Sequence, residues 1–270
     1  MTHKLEHVTF FNGHKMPIVG LGTWQSPNGE VGQAVDAALE AGYRHIDTAY
    51  AYGNEAEIGQ TLKKWFDSGR LKREDVFIVT KLPFNGNRAE SVEKYLKKSL
   101  EALQLEYVDL YLIHHPVGHL DVDGSVFPRD QDGKLLIDMN TDHISLWKKC
   151  CTKKNVWQLF PLASSLSSAR RIVQLSPMSD PVVVDIAQRH GKTPAQVLLR
   201  HLMQHRIVVI PKSVKPERIQ QNFDVFDFEL TPEDMEKLDT LDMGPKGRMF
   251  GDSIGPERLR HPEYPFKERY

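Results

Sequence analysis

The chain has 270 residues, a length that one large domain with a substantial buried core can fill. Its 35 lysines and arginines nearly balance its 36 aspartates and glutamates, so no overall electric field favours nucleic acid or an acidic membrane surface as a partner. The expected partner is therefore a small molecule bound in a pocket.

The cysteines and the apolar runs of the sequence indicate the cellular compartment in which the protein is expected to fold. Cys150 and Cys151 are adjacent, and neighbouring cysteines rarely form a disulfide, so a reducing environment is expected. The first residues, MTHKLEHVTFF, lack the apolar core of a signal peptide, and no apolar run approaches the ~20 residues of a membrane span. We therefore expect a cytoplasmic protein.

The first elements are a hairpin, a strand and a helix. Asn12-Gly13 lies between two short β-rich runs and predicts a hairpin turn. The strand that follows ends in Gly22-Thr23-Trp24, where Trp24 is either a core residue or a flat apolar face for a substrate. Apolar residues at helical spacing predict a helix over 29–41, which Gly42 ends.

Several later strands share one design, in which an apolar run leads to a polar residue. Near-continuous apolar strands that alternate with helices indicate a parallel sheet covered on both faces. The carboxyl ends of such strands form the active face of a barrel. The strands and their polar residues are 45–49 with Asp47, 76–80 before Lys81, 110–113 before His114, and 207–210 before Pro211-Lys212-Ser213; the intervening helices are expected at 55–66 and 89–103.

Four motifs in order give the chain a resemblance to a known family. They are GYRHIDTAYAYGNEAEIG at 42–59, Lys81 after the third strand, LIHHP at 112–116 and IPKSVKPERI at 210–219. The chain resembles the aldo-keto reductases, and the separations 52 − 47 = 5, 81 − 52 = 29 and 114 − 81 = 33 agree with the tetrad of that family. The resemblance implies a single α/β domain over 1–270 with a (β/α)8 TIM barrel, and reduction of aldehydes and ketones by NADPH.

The resemblance also implies roles for the tetrad. Tyr52 would give a proton to the carbonyl oxygen, and Lys81, itself balanced by Asp47, would lower the ordinary phenol pKa of about 10. His114 would orient the carbonyl and stabilise the developing alkoxide. Taken singly, the aspartate and lysine could form an ordinary salt bridge and the histidine could be a loop residue.

The cofactor residues follow from the same family pattern. No GxGxxG motif follows a strand, so a Rossmann fold is not supported. Lys212, Ser213 and Arg218 combine two cations and a hydroxyl, which suits a phosphate monoester and favours NADPH; the alternative is a solvated basic helix face. The resemblance assigns Gly22, Thr23, Trp24, Asp47, Lys212, Ser213, Val214, Arg218 and Asn222 to the cofactor, and Trp24, His114 and His115 to the substrate. We identify no metal site.

At two positions the residue of this chain differs from the one that the family usually carries. Gln221 stands in place of a glutamate, and His115 in place of the tryptophan that many relatives carry. Pro83 and Phe127 are further candidates for lining the pocket. The Gly, Asp and Pro content of 116–142 predicts a long loop over the active face, and 247–270 resembles the variable substrate loop of the family.

The family pattern fails over 149–179, which is too short for three strand–helix units. We predict one strand near 157–162 and one helix near 167–173 there, and 175–178 could be the remnant of a further strand. We therefore expect an incomplete barrel in the region of strands 5–7. An internal deletion joined to a divergent or frame-shifted segment, produced by alternative splicing or a gene-model error, would explain the departure.

The pattern resumes with helices near 181–190 and 194–205, and Thr231 is expected to cap a helix whose first residue is Pro232.

The sequence leaves three functions open. The first is a monomeric NADPH-dependent aldehyde and ketone reductase. The second is a truncated relative without turnover, either poorly folded or a nucleotide-binding regulator, because lost strands leave unpaired edges. The third is a role like that of a potassium-channel β-subunit.

Overall fold

The computed structural model describes residues 5–151, 159–161, 177–244, 256–262 and 264. The chain divides into two compact units. The first unit comprises Met1–Asp47, Arg73–Phe77 and Ala169–Gly247, and the second comprises Thr48–Lys72, Ile78–Ser168 and Arg248–Tyr270.

The described strands are short; four of the eight described α-helices lie between them in the chain, and the other four follow the last strand. The strands are β1 His7–Thr9, β2 Lys15–Pro17, β3 Leu21–Gly22, β4 His45–Asp47, β5 Phe77–Leu82, β6 Leu110–Ile113, β7 Gly118–His119, β8 Ile137–Asp138 and β9 Leu159–Pro161. The helices are α1 Val31–Ala41, α2 Glu55–Asp67, α3 Val92–Leu103, α4 His143–Cys151, α5 Pro181–His190, α6 Pro194–Gln204, α7 Pro216–Phe223 and α8 Pro232–Asp239.

The first unit begins with the predicted hairpin. Strands β1 and β2 pair antiparallel with Val8 opposite Met16. The turn contains Gly13 at φ 85°, a left-handed conformation that glycine adopts without steric cost. The prediction from Asn12-Gly13 is therefore confirmed.

Parallel pairing brings three segments of the first unit side by side. Strand β3 pairs with β4, placing Gly22 opposite Asp47. On the other side of β3, single parallel bridges join Val19 to Val209 and Gly22 to Lys212. The predicted strand over 207–210 is thus wrong as a continuous strand, because Pro211 has no N–H to extend the ladder and only isolated bridges form.

The helices of the first unit begin and end where the local residues dictate. Gly42, at φ 106°, ends α1 as predicted. Thr231 accepts a hydrogen bond from the N–H of Asp234 and caps α8, which confirms that prediction, and Thr193 caps α6 in the same way. Helices α5, α6 and α8 share one apolar cluster, formed by Val183, Ile186, Ala187, Val197, Leu230 and Leu238.

The second unit is built on three parallel strands. Strand β6 pairs with β5, with Leu112 opposite Lys81, and with β9, with Leu112 opposite Phe160. Strand β9 confirms the strand predicted near 157–162, and β5 continues through Lys81 to Leu82 rather than ending before the lysine.

The predicted helix over 167–173 lies outside the described residues. Of the strand remnant predicted at 175–178, residues 175 and 176 also lie outside them. Residues 177 and 178 belong to a one-turn 3-10 helix, Pro177–Ser179, so that part of the prediction is wrong. Proline opening the turn favours helical over extended backbone there.

The loop over 116–142 contains more structure than its composition predicts. Strands β7 and β8 pair antiparallel, with Gly118 opposite Asp138. Arg88 donates two hydrogen bonds to the Asp138 carboxylate, at 2.7 and 2.8 Å, and Asn87 donates one to the backbone oxygen of His115 at 2.7 Å. The predicted loop therefore contains one short antiparallel pair, and the side chains of Asn87 and Arg88 hold its two ends. No helix in the described part of the chain has the length and apolarity needed to cross a membrane.

Helices α2 and α3 approach each other most closely at Gly59. A Cβ atom at this position would lie 2.5 Å from the backbone oxygen of Ala102 and 2.6 Å from the carbonyl carbon of Leu103. Backbone cannot rotate away as a flexible side chain can. The helix pair therefore requires the absence of a side chain at this position.

We expect Gly59→Ala to destabilise the protein although alanine favours helix by about 1 kcal/mol. Because the contact is with backbone atoms at 2.5–2.6 Å, we expect an overpacking cost of about 2–3 kcal/mol, so urea unfolding should show a net loss of about 1–2 kcal/mol. Gln60→Ala, at an exposed position of the same helix, is the control and should change stability by less than about 0.5 kcal/mol. A Gly59→Ala protein as stable as the parent would contradict the close approach.

Candidate active site

A buried lysine occupies the centre of the candidate site in the second unit. Lys81 lies on β5 with only 2% of its surface exposed. Its ammonium donates hydrogen bonds to the backbone oxygen of Thr48 at 2.8 Å and to the hydroxyl of Tyr52 at 3.3 Å. Tyr52 ends a one-turn 3-10 helix, Tyr50–Tyr52, and is half-buried. The positive charge therefore lies beside the phenol oxygen.

His114 follows β6 and packs against the same tyrosine. Its ring meets the Tyr52 ring edge-on at 5.5 Å and stacks on Phe84 at 4.7 Å. Burial holds the pKa of His114 well below its ordinary value, and the charges of Lys81, His115 and Arg258 lower it further. The imidazole is therefore neutral. Its Nδ1 is buried without a hydrogen-bond partner among the described residues.

Glu55 is a buried acid that the charge of Lys81 influences, and it was not predicted as a site residue. It is the first residue of α2 and is 4% exposed. Its carboxyl oxygens accept hydrogen bonds from Thr80 at 2.6 Å and from Ser99 at 3.0 Å. Burial raises the pKa of Glu55, while these two hydrogen bonds and the charge of Lys81 lower it by less. The charge of Lys81 therefore acts on a buried carboxyl group in the same unit.

An aromatic wall extends from His114 into the loop and the tail. Phe84 stacks on His119 at 5.0 Å with an interplanar angle of 14°, and Phe127 contacts Phe84 at 5.3 Å. The guanidinium of Arg258 lies 5.0 Å from the centre of the Phe84 ring. Sequence reasoning named Phe127 but missed Phe84, His119 and Arg258.

The hydrogen bonds around His119 define its tautomer. Arg258 has no acceptor, so its contact of 2.8 Å to Nε2 makes that nitrogen the acceptor. Nδ1, which lies 2.7 Å from the backbone oxygen of Val126, then carries the hydrogen. Burial, partly offset by the Val126 hydrogen bond, lowers the pKa of His119 to about 4, so the ring is neutral at physiological pH. Burial also lowers the pKa of Arg258, to about 10.

The tail makes a second contact with the loop. His261 Nε2 lies 2.9 Å from the backbone oxygen of Asp138, whose carboxylate binds Arg88. His115 is neutral as well, because burial and Arg258 lower its pKa to about 4, and its Nδ1 accepts the N–H of Val117 at 3.0 Å.

The first unit carries the remaining predicted residues in three segments, which parallel pairing brings side by side. Asp47 ends β4 and is buried, and its backbone oxygen accepts hydrogen bonds from the hydroxyl of Thr23 at 2.9 Å and from its N–H at 3.1 Å. Gly22 precedes this threonine, and a Cβ there would lie 2.6 Å from the backbone oxygen of Ile210. Trp24 is half-buried.

The predicted phosphate site lies at the start of α7, beside Gly22. Lys212 and Arg218 are exposed, and neither forms an ion pair within the described residues. Ser213 is buried, and its hydroxyl accepts the N–H of Lys215 at 3.1 Å. Val214 and Asn222 are half-buried. Two exposed cations without carboxylate partners are well suited to bind an anion.

Each unit therefore brings part of the predicted site together. The second unit unites Tyr52, Lys81 and His114. The first unit unites Asp47 with Gly22 and Thr23 and, through the bridge from Gly22 to Lys212, with the residues from 212 to 222.

Comparison with known proteins gives one consistent result. The model of the family described as "Aldo/keto reductase family" matches residues 18–126 and 148–243. The chain is 35% identical to "Aldo-keto reductase family 1 member A1" of Mus musculus, covering 97% of this chain and 98% of that one. It is also 35% identical to "Prostaglandin F synthase 2" of Bos taurus, covering 100% of both.

Among solved structures, an aldose reductase from Schistosoma japonicum matches 98% of this chain and 100% of its own, with a TM-score of 0.87 and 40% identity. These findings confirm the resemblance and the α/β, (β/α)8-barrel fold class.

The alignment with the bovine protein extends over 329 positions, so 329 − 270 = 59 of them contain no residue of this chain.

The burial of neutral His119 predicts a pH dependence of stability. Its pKa is about 4 in the folded chain and about 6.5 when unfolded, so between these values the unfolded chain binds a proton that the folded chain does not. The unfolding free energy therefore falls as the pH falls through this window, by up to about 1.4 kcal/mol per pH unit for this one group.

We expect His119→Gln to make the plot of unfolding free energy against pH shallower between pH 6 and pH 4.5, because it removes this proton uptake. Urea unfolding at several pH values measures the slope. Phe127→Leu is the control, since it disturbs the same aromatic wall without removing a titrating group and should keep the parent slope. Equal slopes for His119→Gln and the parent would refute the lowered pKa.

Proposed function

The chain belongs to the aldo/keto reductase family, oxidoreductases that reduce small carbonyl compounds with a nicotinamide cofactor, and we propose that it reduces aldehydes and ketones to alcohols with NADPH, using Tyr52 as the proton donor. The observation that carries the proposal is the 3.3 Å hydrogen bond from the buried ammonium of Lys81 to the hydroxyl of Tyr52. An ammonium at this distance stabilises the negative charge that the oxygen gains as its proton leaves.

The other members of the tetrad act on the same proton and oxygen. Neutral His114 has an N–H to donate to the carbonyl oxygen, where negative charge develops. The proposed role of Asp47 is to balance the charge of Lys81, as the family resemblance implies. When bound, the reduced nicotinamide supplies a hydride to the carbonyl carbon.

The proposed cofactor is NADPH rather than NADH. Exposed Lys212 and Arg218, with the hydroxyl of Ser213 nearby in the chain, match the charge and the acceptor oxygens of a phosphate monoester. Asn222 is proposed to contact the adenine. The side-chain-free backbone at Gly22, with Thr23, Trp24, Asp47 and Val214, completes the proposed cofactor set.

The proposed substrate set consists of Trp24, His114 and His115. We propose that the protein works as a monomer in the cytoplasm, following the habit of the family and the adjacent cysteines. We propose a small carbonyl compound as its partner, and neither nucleic acid nor a membrane, because its positive and negative charges nearly balance.

A second candidate is a relative that binds the nucleotide without turning over. Its support is the 59 alignment positions without a residue in this chain, which we propose fall at 149–179 within the single domain 1–270. A barrel that loses strands exposes unpaired edges, which can abolish catalysis while leaving a phosphate site. A single uninterrupted genomic exon over 149–179 would oppose a splicing origin.

We expect Tyr52→Phe to lower kcat for a broad aromatic aldehyde by at least about 100-fold, because the phenol is the proton donor. Its affinity for NADPH should stay within about twofold of the parent. Tyr50→Phe is the control: it removes a hydroxyl two residues away, from a ring that packs edge-on against Tyr95 at 5.1 Å, and should retain full activity. Equal activity of Tyr52→Phe and the parent would refute the assignment.

We expect Lys212→Ala and Arg218→Ala each to weaken NADPH binding about 10-fold or more, since each removes a charge-assisted hydrogen bond to the phosphate. NADH, which lacks this phosphate, should bind all variants alike. NADPH fluorescence on titration gives the Kd, and Gln220→Ala, exposed on α7, is the control.

The same titration separates the two candidate functions. Binding accompanied by NADPH consumption supports the reductase, and binding without consumption in the parent supports the regulator. A parent that neither binds NADPH nor melts cooperatively contradicts both.

A further inference from the structure

Two histidines and an aspartate of the first unit, none of them among the residues of the proposed function, converge on one point. His201 lies on α6 and His205 follows the end of that helix, so their spacing of i and i+4 places them on the same face. Asp239 is the last residue of α8. Its Oδ1 lies 2.7 Å from Nε2 of His201 and 2.8 Å from Nε2 of His205, and the two nitrogens are 3.2 Å apart.

A cation satisfies these three atoms better than protons do. If both imidazoles are neutral with hydrogen on Nε2, the carboxylate oxygen accepts both N–H groups, but two donor nitrogens then lie 3.2 Å apart with no hydrogen bond between them. If either carries its hydrogen on Nδ1, its bare Nε2 lone pair faces a carboxylate oxygen instead. A single cation between the atoms uses all three lone pairs together.

The distances are close to those of a metal site. Zinc binds imidazole nitrogen at about 2.0–2.1 Å, so two ligand atoms of a tetrahedral site lie about 3.3 Å apart. The nitrogen to nitrogen distance of 3.2 Å already matches. The carboxylate oxygen needs to retreat by about half an ångström, and Asp239 is free to do so because 51% of its side chain is exposed. The imidazole planes, at 88° to each other, approach from different directions.

We propose that His201, His205 and Asp239 form a binding site for a divalent transition-metal ion of the zinc class, with water in the remaining position. Two imidazoles and one carboxylate form a borderline ligand set that selects zinc, nickel or copper over magnesium and calcium. The ion joins the end of α6 to the end of α8, segments that are 34 residues apart in the chain.

The site lies on helices that already share an apolar cluster, to which α6 contributes Val197 and α8 contributes Leu238. A metal that binds the folded chain and not the unfolded one stabilises the folded state in proportion to the logarithm of its concentration. The inference is therefore tested by stability and stoichiometry, whether or not the chain is a reductase.

The experiment uses the full chain without an affinity tag, stripped with a chelator, and Zn²⁺ as the probe. We expect calorimetric titration to give one site that is lost in His205→Gln and in Asp239→Ala. We expect Zn²⁺ at 100 times its Kd to raise Tm by about 5 °C in the parent, with little effect of Mg²⁺. Glu236→Gln, which removes an exposed carboxylate from α8 outside the site, is the matched control and should keep both responses.

Two outcomes overturn the proposal. One is the absence of zinc binding or of a Tm rise in the parent. The other is an equal number of sites and an equal Tm rise in the parent, His205→Gln and Asp239→Ala, which would move the binding to other residues. The melting temperature of each variant without metal shows whether that variant is folded. The two substitutions lie in different segments of the chain, so if one variant misfolds, the other still tests the proposal.

Discussion

The hydrogen bonds of one buried ammonium join the two segments that carry the lysine and the tyrosine of the candidate active site. A charge removed from water costs several kcal/mol unless partners replace the lost hydration. Lys81 finds these partners in the backbone oxygen of Thr48 and the hydroxyl of Tyr52, and the N–H of Thr48 in turn binds the oxygen of Val79 on β5. The segment that carries Tyr52 is thereby fixed to the strand that carries Lys81. The lysine is thus both a chemical group of the site and the reason for its local geometry.

Much of the fold follows from local sequence rules, and the exceptions have identifiable causes. Helical spacing, the caps at Thr231 and Gly42 and the Asn12-Gly13 turn predicted their elements because each depends on neighbouring residues only. The strand over 207–210 was wrong because its pairing depends on where Pro211 falls against a distant segment. The hairpin of β7 and β8 was missed because its stabilising contact, from Arg88 to Asp138, spans 50 residues.

In the candidate site, too, local patterns predicted some residues, and others depend on distant contacts that the sequence does not reveal. Tyr52, Lys81 and His114 were predicted from motif and spacing, and the described geometry brings them together. Glu55 stands inside the quoted motif, yet nothing local indicates that its carboxyl group is buried against Thr80 and Ser99. His119 and Arg258, 139 residues apart, could be joined only once the chain had folded.

Two contacts join the tail to the loop: Arg258 with His119, and His261 with Asp138. The two segments are therefore packed against each other through hydrogen bonds. Each segment supplies what the other lacks, since the loop offers acceptors and the tail offers donors. A homologous tail grafted onto this chain would arrive without its matching loop and would leave buried acceptors unsatisfied. A change in one of these segments therefore constrains which changes the other can accept.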